Sequence, residues 1–243
     1  IRKDGTPTYL AGDIAYHSYK FKDKGFDKVI NIWGADHYGD IPGLKAGVEA
    51  LGYKDQLEFV LLQFVTLLDK GKELKMSKRK GVYVTMDELL EEVSSDVVRF
   101  FFLQRSAGTH LKFDLSLAKE QSKKNPVYYV QYAHARICSV LEQENKSLNG
   151  NFELLKHPSE ISLIKELIKL PEIVEETAND FQLQRLPQYS IKVAEEFHKF
   201  YRDCKILCDD KRMKEARMSL ALATKIILKE VLDLMGVSAP EKM

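Results

Sequence analysis

Between Lys70 and Lys80, six basic side chains fall within eleven positions, with Glu73 the one acid among them. Gly71 and Gly81 bracket the run and favour a loop. Several ammonium groups on such a loop suit a polyphosphate whose charge shifts during reaction. They would stabilise the negative charge that develops on departing pyrophosphate. The Gly-x-x-x-x-Gly-Lys-Ser/Thr phosphate cradle is absent, so this is a different device. On charge alone, such a run is more often a solvated loop or a nucleic-acid patch.

Three further groups could carry chemistry. Tyr9 and Asp13 are four apart and would share one face of a helix. A carboxylate beside a phenol can receive a guanidinium through charge-assisted hydrogen bonds. The spacing alone equally describes a surface acid and a core tyrosine. Trp33-Gly34-Ala35-Asp36-His37-Tyr38-Gly39-Asp40 follows an apolar run. Gly34 permits close approach there, and Asp36 can accept from ribose hydroxyls. In the segment from Asn125 to Arg136, Val127, Val130, His134, Ile137 and Leu141 make a buried stripe. Tyr129, Tyr132 and Arg136 then share another face, and aromatics interleaved with arginine suit unstacked RNA bases. Tyrosines packed between helices account for that face equally well.

The elements needed to position these groups are legible. Asp27–Trp33 and Leu57–Leu62 read as buried strands, with a helix over Ile41–Leu51 between them. That is the strand–helix–strand pattern of a parallel sheet, whose ligands bind beyond the carboxyl ends of strands. Thr85-Met86-Asp87-Glu88 is a capping box, and Asp96–Gln104 reads as a helix. Farther on, two amphipathic stripes recur every three or four residues. One is Ile191, Ala194, Phe197, Tyr201, Cys204 and Cys208; the other is Met213, Ala216, Leu220, Ala223, Ile227, Val231 and Leu234. Gln143–Pro158 reads as a loop. Of the 13 glycines, 10 lie in residues 1–93, so an α/β part gives way to a helical bundle.

At 243 residues the chain is long enough for one or two domains. Its 37 basic and 36 acidic residues nearly cancel, which excludes a histone-like polycation but not a local nucleic-acid patch. With 44% hydrophobic residues it is not a disordered chain. No run approaches the roughly 18 apolar residues of a membrane span. Three cysteines, without paired Cys-x-x-Cys spacing, indicate a reducing, cytoplasmic setting rather than a disulfide or zinc scaffold. Cys204 and Cys208 read as buried thiols on a core face. His17, His110 and His157 are isolated and read as structural or solvent-facing.

Lys75-Met76-Ser77-Lys78-Arg79 resembles the KMSKS loop of class I aminoacyl-tRNA synthetases, with Arg79 where the family pattern ends in Ser. Asp4–Asp13 resembles the arginine-binding stretch of arginyl-tRNA synthetases, with Gly12 where an arginine is frequent. Trp33–Asp40 is similar to the Gly-x-Asp element of class I synthetases. Asn125–Arg136 is similar to the anticodon-binding domain of arginyl-tRNA synthetases, and Asp96-Val97-Val98-Arg99 to the Asp-Ala-Leu-Arg element that names that domain class. The motifs stand in family order along the whole chain.

The resemblance implies a fold and a set of roles. Residues 1–113 would be the C-terminal half of a Rossmann-like catalytic domain, with the KMSKS-type loop and a linker helix. Residues 114–243 would be an α-helical bundle that binds the anticodon. Lys78, with Lys75, would act in catalysis. Tyr9, Asp13 and His37 would bind arginine. Gly34, Asp36, Lys75, Met76, Ser77 and Lys78 would bind ATP. Tyr129, Tyr132, Arg136, Tyr201 and Met243 would contact tRNA(Arg). Mg²⁺ is expected with ATP, no protein-held metal site is expected, and the parent is expected to be a cytoplasmic monomer. The family's His-Ile-Gly-His element is missing, and the chain opens Ile1-Arg2 without an initiator Met. It therefore reads as part of a longer synthetase, inactive alone. The rival reading is a non-catalytic RNA-binding module, which needs only the helical half and a basic loop.

Overall fold

A computed structural model describes residues 2–74, 84–143 and 150–243. The loop residues Lys75, Met76, Ser77 and Lys78 lie outside them. The described chain forms two compact units. One runs to Val65 and takes in Ala107–Leu111; the other comprises Thr66–Ser106 and Lys112–Met243. This packing boundary differs from the expected sequence boundary at 113. The reason is that the helix Ser95–Leu103 packs on helices of the second unit.

In the first unit, α1 (Tyr9–Ser18) starts where the Thr8 hydroxyl accepts the Ala11 N–H at 3.4 Å. Strands β1 (Val29–Gly34) and β2 (Leu57–Leu62) pair in parallel, from Val29 opposite Leu57 to Gly34 opposite Leu62. Between them α2 (Ile41–Ala50) crosses over, completing the expected βαβ element. Phe21, Val29, Leu44, Val48 and Leu57 are the core. The polar residue on the inward side of β1, Asn31, is satisfied by His17. That ring meets the Asn31 amide nitrogen at 2.9 Å through Nε2 and the Asp13 carbonyl at 2.7 Å through Nδ1. His17 is thus structural, as its isolation suggested. Helices α1 and α2 approach closely because Gly43 and Gly47 face α1. A Cβ on Gly47 would come within 2.6 Å of Ile14 Cγ1.

The second unit begins with β3 (Val65–Asp69) and β4 (Lys72–Glu73), an antiparallel pair in a sheet ordered β4-β3-β5, where β5 is Leu111–Asp114. α3 (Met86–Glu92) carries the expected capping box, Glu88 N–H to Thr85 Oγ1 at 3.1 Å and Thr85 N–H to Glu88 Oε2 at 2.7 Å. α4 (Ser95–Leu103) and the short α5 (Leu115–Ala118) lead to the bundle. This comprises α6 (Pro126–Leu141), α7 (Pro158–Leu167), α8 (Leu170–Asp180), α9 (Arg185–Asp203) and α10 (Lys211–Leu234). α6 packs on both α9 and α10, and α7 on α9. Phe197, Phe200, Ile137, Leu163 and Leu228 are fully buried between them. Glu160 is buried with them and is met by the half-buried Arg217, whose Nε donates to it at 2.7 Å.

Two expected stripes shift. α9 ends at Asp203 and Cys204 is extended, so Cys208 lies beyond the helix, half-buried, while Cys204 is buried. On α10 the buried side runs through Ala216, Leu220, Ala221, Thr224, Leu228 and Val231. Met213, Ala223 and Ile227 are only half-buried, and Leu234 is exposed. α10 packs against α6, α7 and α9 together, so its buried face is broader than a single stripe. Leu141, at the end of α6, is likewise half-buried.

Gly150 offers a test of this packing. Its N–H donates to Ser219 Oγ at 2.9 Å, and a Cβ there would lie 2.5 Å from the Ala216 backbone nitrogen. Backbone cannot yield as a side chain can, so Gly150→Ala should lose about 1–3 kcal/mol of stability. Gly12, inside α1 with nothing within 4 Å, should accept alanine with no loss or a gain of up to about 1 kcal/mol. Urea unfolding of both variants distinguishes the two sites; matching shifts would show that the α10 approach is not a constraint.

Candidate functional site

Beyond the carboxyl end of β1 the chain passes through a 3₁₀ turn, Ala35–Asp40, into α2. This turn and the first turns of α1 enclose a cleft of about 360 Å³. Tyr9, Asp13 and His37 all line it, so the structure brings together the three residues expected to bind arginine. Trp33 and Asp40 line it too. His37 Nδ1 lies 3.3 Å from Asp40 Oδ2, and its ring meets Trp33 edge-on at 6.0 Å. Trp33 is in turn held by Phe59, with ring centroids 4.9 Å apart. Leu10 closes the cleft from α1, where Gly43 leaves room for it.

The chemistry of this cleft is that of a cation receptor. Two carboxylates and a phenol face it, and among the described residues no lysine or arginine lines it. Tyr9 is 85% exposed, and its ring already attracts one guanidinium, with Arg2 Cζ 4.9 Å from the centroid. Just ahead of α1, Asp4 accepts the Thr6 hydroxyl at 2.7 Å and its N–H at 3.0 Å, which holds the Asp4 carboxyl below its usual range.

Gly34 and Asp36 fall elsewhere. Asp36 folds back so that a Cβ on Gly34 would sit 2.5 Å from its Oδ1. A side chain at position 34 would therefore displace the Asp36 carboxylate, although neither residue lines the cleft. Trp33 was missed as a pocket residue because a lone tryptophan at a strand end reads as core. Its neighbours at positions 36, 37 and 40 were the available signal.

A second site lies on the bundle. Asn125 starts α6 by accepting the Val127 N–H at 3.2 Å, while its amide donates to the Ala118 carbonyl at 3.0 Å. Val127, Val130, His134 and Ile137 then face the core, which turns Tyr129, Tyr132 and Arg136 towards α9. All three gather with Tyr201. The Arg136 guanidinium lies 3.9 Å from the Tyr201 ring centroid and 5.9 Å from that of Tyr132. Tyr129, Arg136 and Tyr201 line a hollow of about 660 Å³ with Lys123, Lys199 and Arg202.

His198 sits at the centre of this group, 5.0 Å from the Tyr129 ring and 6.1 Å from that of Tyr132. Burial, then the positive charges of Arg136 and Lys123, push its pKa down to about 4. The ring is therefore neutral at neutral pH and adds aromatic surface, not charge. Burial and then Glu195 raise the Tyr129 phenol. His198 was missed by the sequence reading, although it lies three residues before Tyr201 on the same side of α9.

Met243 does not join them. It lines a separate cavity of about 530 Å³ together with Tyr128 and Val97. Met243 thus lies in a different hollow of this unit from Tyr129, Arg136 and Tyr201. His110 is exposed, and His157 caps α7 by accepting the Ser159 N–H at 3.3 Å. Among the described residues no group of three or more His, Cys, Asp or Glu side chains is set to hold a metal, and no helix is long and apolar enough to cross a membrane.

Comparison with known proteins identifies relatives along the whole chain. Residues 130–243 match the DALR anticodon binding domain. The whole chain is 49% identical to an arginine–tRNA ligase of Moorella thermoacetica, spanning 45% of that protein. It superposes with a TM-score of 0.89 on a Campylobacter jejuni chain assigned as an arginyl-tRNA synthetase, at 36% identity and covering 54% of it. The fold, at 21% identity, is also that of the Thermus thermophilus arginyl-tRNA synthetase, with a TM-score of 0.83 over 50% of that chain. The chain thus spans about half the length of the relatives it matches, and over its whole length its homologues are arginine–tRNA ligases.

Proposed function

We propose that this chain supplies the arginine-binding and anticodon-binding parts of an arginine–tRNA ligase. The observation that carries the reading is the cleft beyond β1, where Tyr9, Asp13, His37 and Asp40 converge with no lysine or arginine among the described residues that line it. A planar guanidinium presents several donors at once. A carboxylate can accept two of them and a phenol a third, which lysine's single ammonium does not match.

In the first step an arginine carboxylate oxygen attacks the α-phosphorus of ATP. The bond to the β-phosphate bridge breaks, and pyrophosphate leaves with arginyl-adenylate formed. In the second step a terminal ribose hydroxyl of tRNA(Arg) attacks the arginyl carbonyl and AMP leaves. Asp13 and Tyr9 hold the side chain, with His37 and Asp40 beside them. Gly34 and Asp36 are assigned to ATP, as are Lys75, Met76, Ser77 and Lys78 of the basic loop. Lys78, with Lys75, meets the charge on the leaving pyrophosphate. Mg²⁺ belongs to this reading as the companion of the ATP phosphates. Tyr129, Tyr132, Arg136, Tyr201 and Met243 contact the tRNA, whose unstacked bases find aromatic faces and cations together. The cytoplasm and a monomeric parent complete the reading. A helical RNA-binding module alone leaves the match across residues 1–129, and its guanidinium-suited cleft, without a purpose.

Three measurements on the full-length protein test these assignments. Asp13→Asn keeps shape and removes charge. It should lower arginine kcat/KM by about 30–150-fold, discounted from the cost of breaking a buried pair because Asp13 is exposed, and leave the KM for ATP nearly unchanged. An effect within threefold would move the guanidinium site away from Asp13. Lys78→Ala should slow adenylate formation by about 10²–10³-fold with little change in arginine affinity. Equal losses in rate and affinity would remove it from the transition state. Tyr132→Ala should weaken tRNA(Arg) binding roughly 5–150-fold, the range for losing one stacked base, and spare arginine activation; unchanged tRNA affinity would make that face structural.

A further inference from the structure

The strand that carries the chain into the basic loop is held from outside its own hairpin. β4 has two residues and pairs with β3 through Leu68 opposite Glu73 and Asp69 opposite Lys72. The Leu74 N–H adds a bond to the Leu67 carbonyl at 2.9 Å. Lys70 and Gly71, at φ 50° and 75°, make the turn. Two successive left-handed residues give the tight turn that matches strand twist, but so short a hairpin is marginal by itself. At its tip the Ser116 hydroxyl accepts the Lys70 N–H at 2.9 Å and donates to Asp69 Oδ1 at 3.0 Å.

Ser116 is itself fixed at the start of α5. Asp114 Oδ1 accepts its N–H at 2.9 Å and that of Leu117 at 3.2 Å. Asp114 ends β5, which lies beside β3 in the sheet. The contacts therefore close a ring from β3 through the turn, Ser116, Asp114 and β5 back to β3. Hairpin tips are commonly left to solvent. This one is exposed at Asp69, Lys70 and Gly71, so the contact buries little and adds little to global stability. Its effect is local. It removes freedom from a turn whose second strand leads in sequence, through Leu74, into Lys75-Met76-Ser77-Lys78. A cation that meets developing charge must be placed to within about 1 Å, so the point from which its segment departs matters.

We infer that Ser116 is a positioning residue for arginine activation: it fixes the turn of the β3–β4 hairpin, and so the strand from which the lysines of the basic loop depart. The inference deepens the proposed function and rests on its assignment of Lys78 to the leaving pyrophosphate. Ser116 acts through Asp69 and the Lys70 backbone, without itself meeting a substrate.

The test uses the full-length protein, with arginine activation read as pyrophosphate exchange in the presence of tRNA(Arg). Ser116→Ala should lower the rate at saturating substrates about tenfold, less than the roughly 10²-fold that a 1 Å misplacement can cost. The KM values for arginine and tRNA should stay within about twofold, and Ser116→Thr, which keeps the hydroxyl, should restore the rate. Asp69→Ala, at an exposed position, frees the same hydroxyl and should slow activation at least about threefold. In hydrogen exchange, the Lys70 amide should exchange at least about fivefold faster in Ser116→Ala than in wild type or Ser116→Thr, the factor for losing one hydrogen bond. Unchanged exchange overturns the contact. On a Lys78→Ala background, Ser116→Ala should add less than about twofold, because the lysine it positions is gone. Full multiplicative losses make Ser116 merely structural and overturn the inference. A wild-type rate in Ser116→Ala, while Lys78→Ala is slow, also overturns it but leaves the proposed function standing. Lys78→Ala without effect removes the assignment on which the inference rests.

Discussion

The burial of α6 against α9 and α10 fixes the rotational phase of that helix, and most of the chemistry of the helical unit follows from the phase. Val130, Ala133 and Ile137 have no exposed surface, so the helix cannot rotate without opening the core. Once they point inward, Tyr129, Tyr132 and Arg136 must face the His198 and Tyr201 side of α9. Gln131 and His134 must face Ser238 and Pro240. Asn125 sets the start of the helix, with its side chain satisfied at both ends. One packing decision therefore orients an aromatic surface and the polar contacts to residues 238–240 at once.

In the first unit the corresponding constraint is the close approach of α1 to α2. Gly43 and Gly47 offer no side chain where Leu10 and Ile14 press. Without that approach, Tyr9 and Asp13 on α1 could not share a cleft with His37 and Asp40, which precede α2. The buried His17–Asn31 pair ties α1 to β1 by a specific polar contact. Such a pair is costly to break inside a core, so it favours one arrangement of helix and strand over its neighbours.

Much of this was legible in the sequence, because the periodicities are strong and the caps are unambiguous. The two strands, the crossover helix, the capping box at Thr85 and the inward face of α6 all follow from local patterns. What local patterns could not supply was the width of a buried face. α10 meets three helices, so Thr224 and Leu228 are buried while Leu234 is not. Nor could they show where a helix breaks within an apolar stripe, as α9 does before Cys208. In the sites, residue types announced Tyr9, Asp13, Tyr132 and Arg136. Trp33 and His198 stayed hidden because their roles depend on partners brought by other elements. The separation of Met243 from the tyrosine hollow is also tertiary, beside hydrogen bonds that join residues more than a hundred apart in sequence.

The near-cancelling charge of the chain conceals two fields of opposite sign. The cleft beyond β1 gathers carboxylates and a phenol, which favour a cation. The hollow beside α6 gathers Lys123, Arg136, Lys199 and Arg202, with Glu195 the one acid among the described residues that line it. Phosphates are drawn to such a surface, but charge alone reads no sequence. Aromatic faces must supply the contact to bases, and they work only if nearby cations do not compete for the same space. His198 meets that requirement: its depressed pKa keeps it an uncharged ring between Tyr129 and Tyr132, while Arg136 lies over Tyr201. A second cation in the His198 position would repel Arg136 and lose its own hydration on burial. A neutral imidazole there lets one surface be both basic and aromatic.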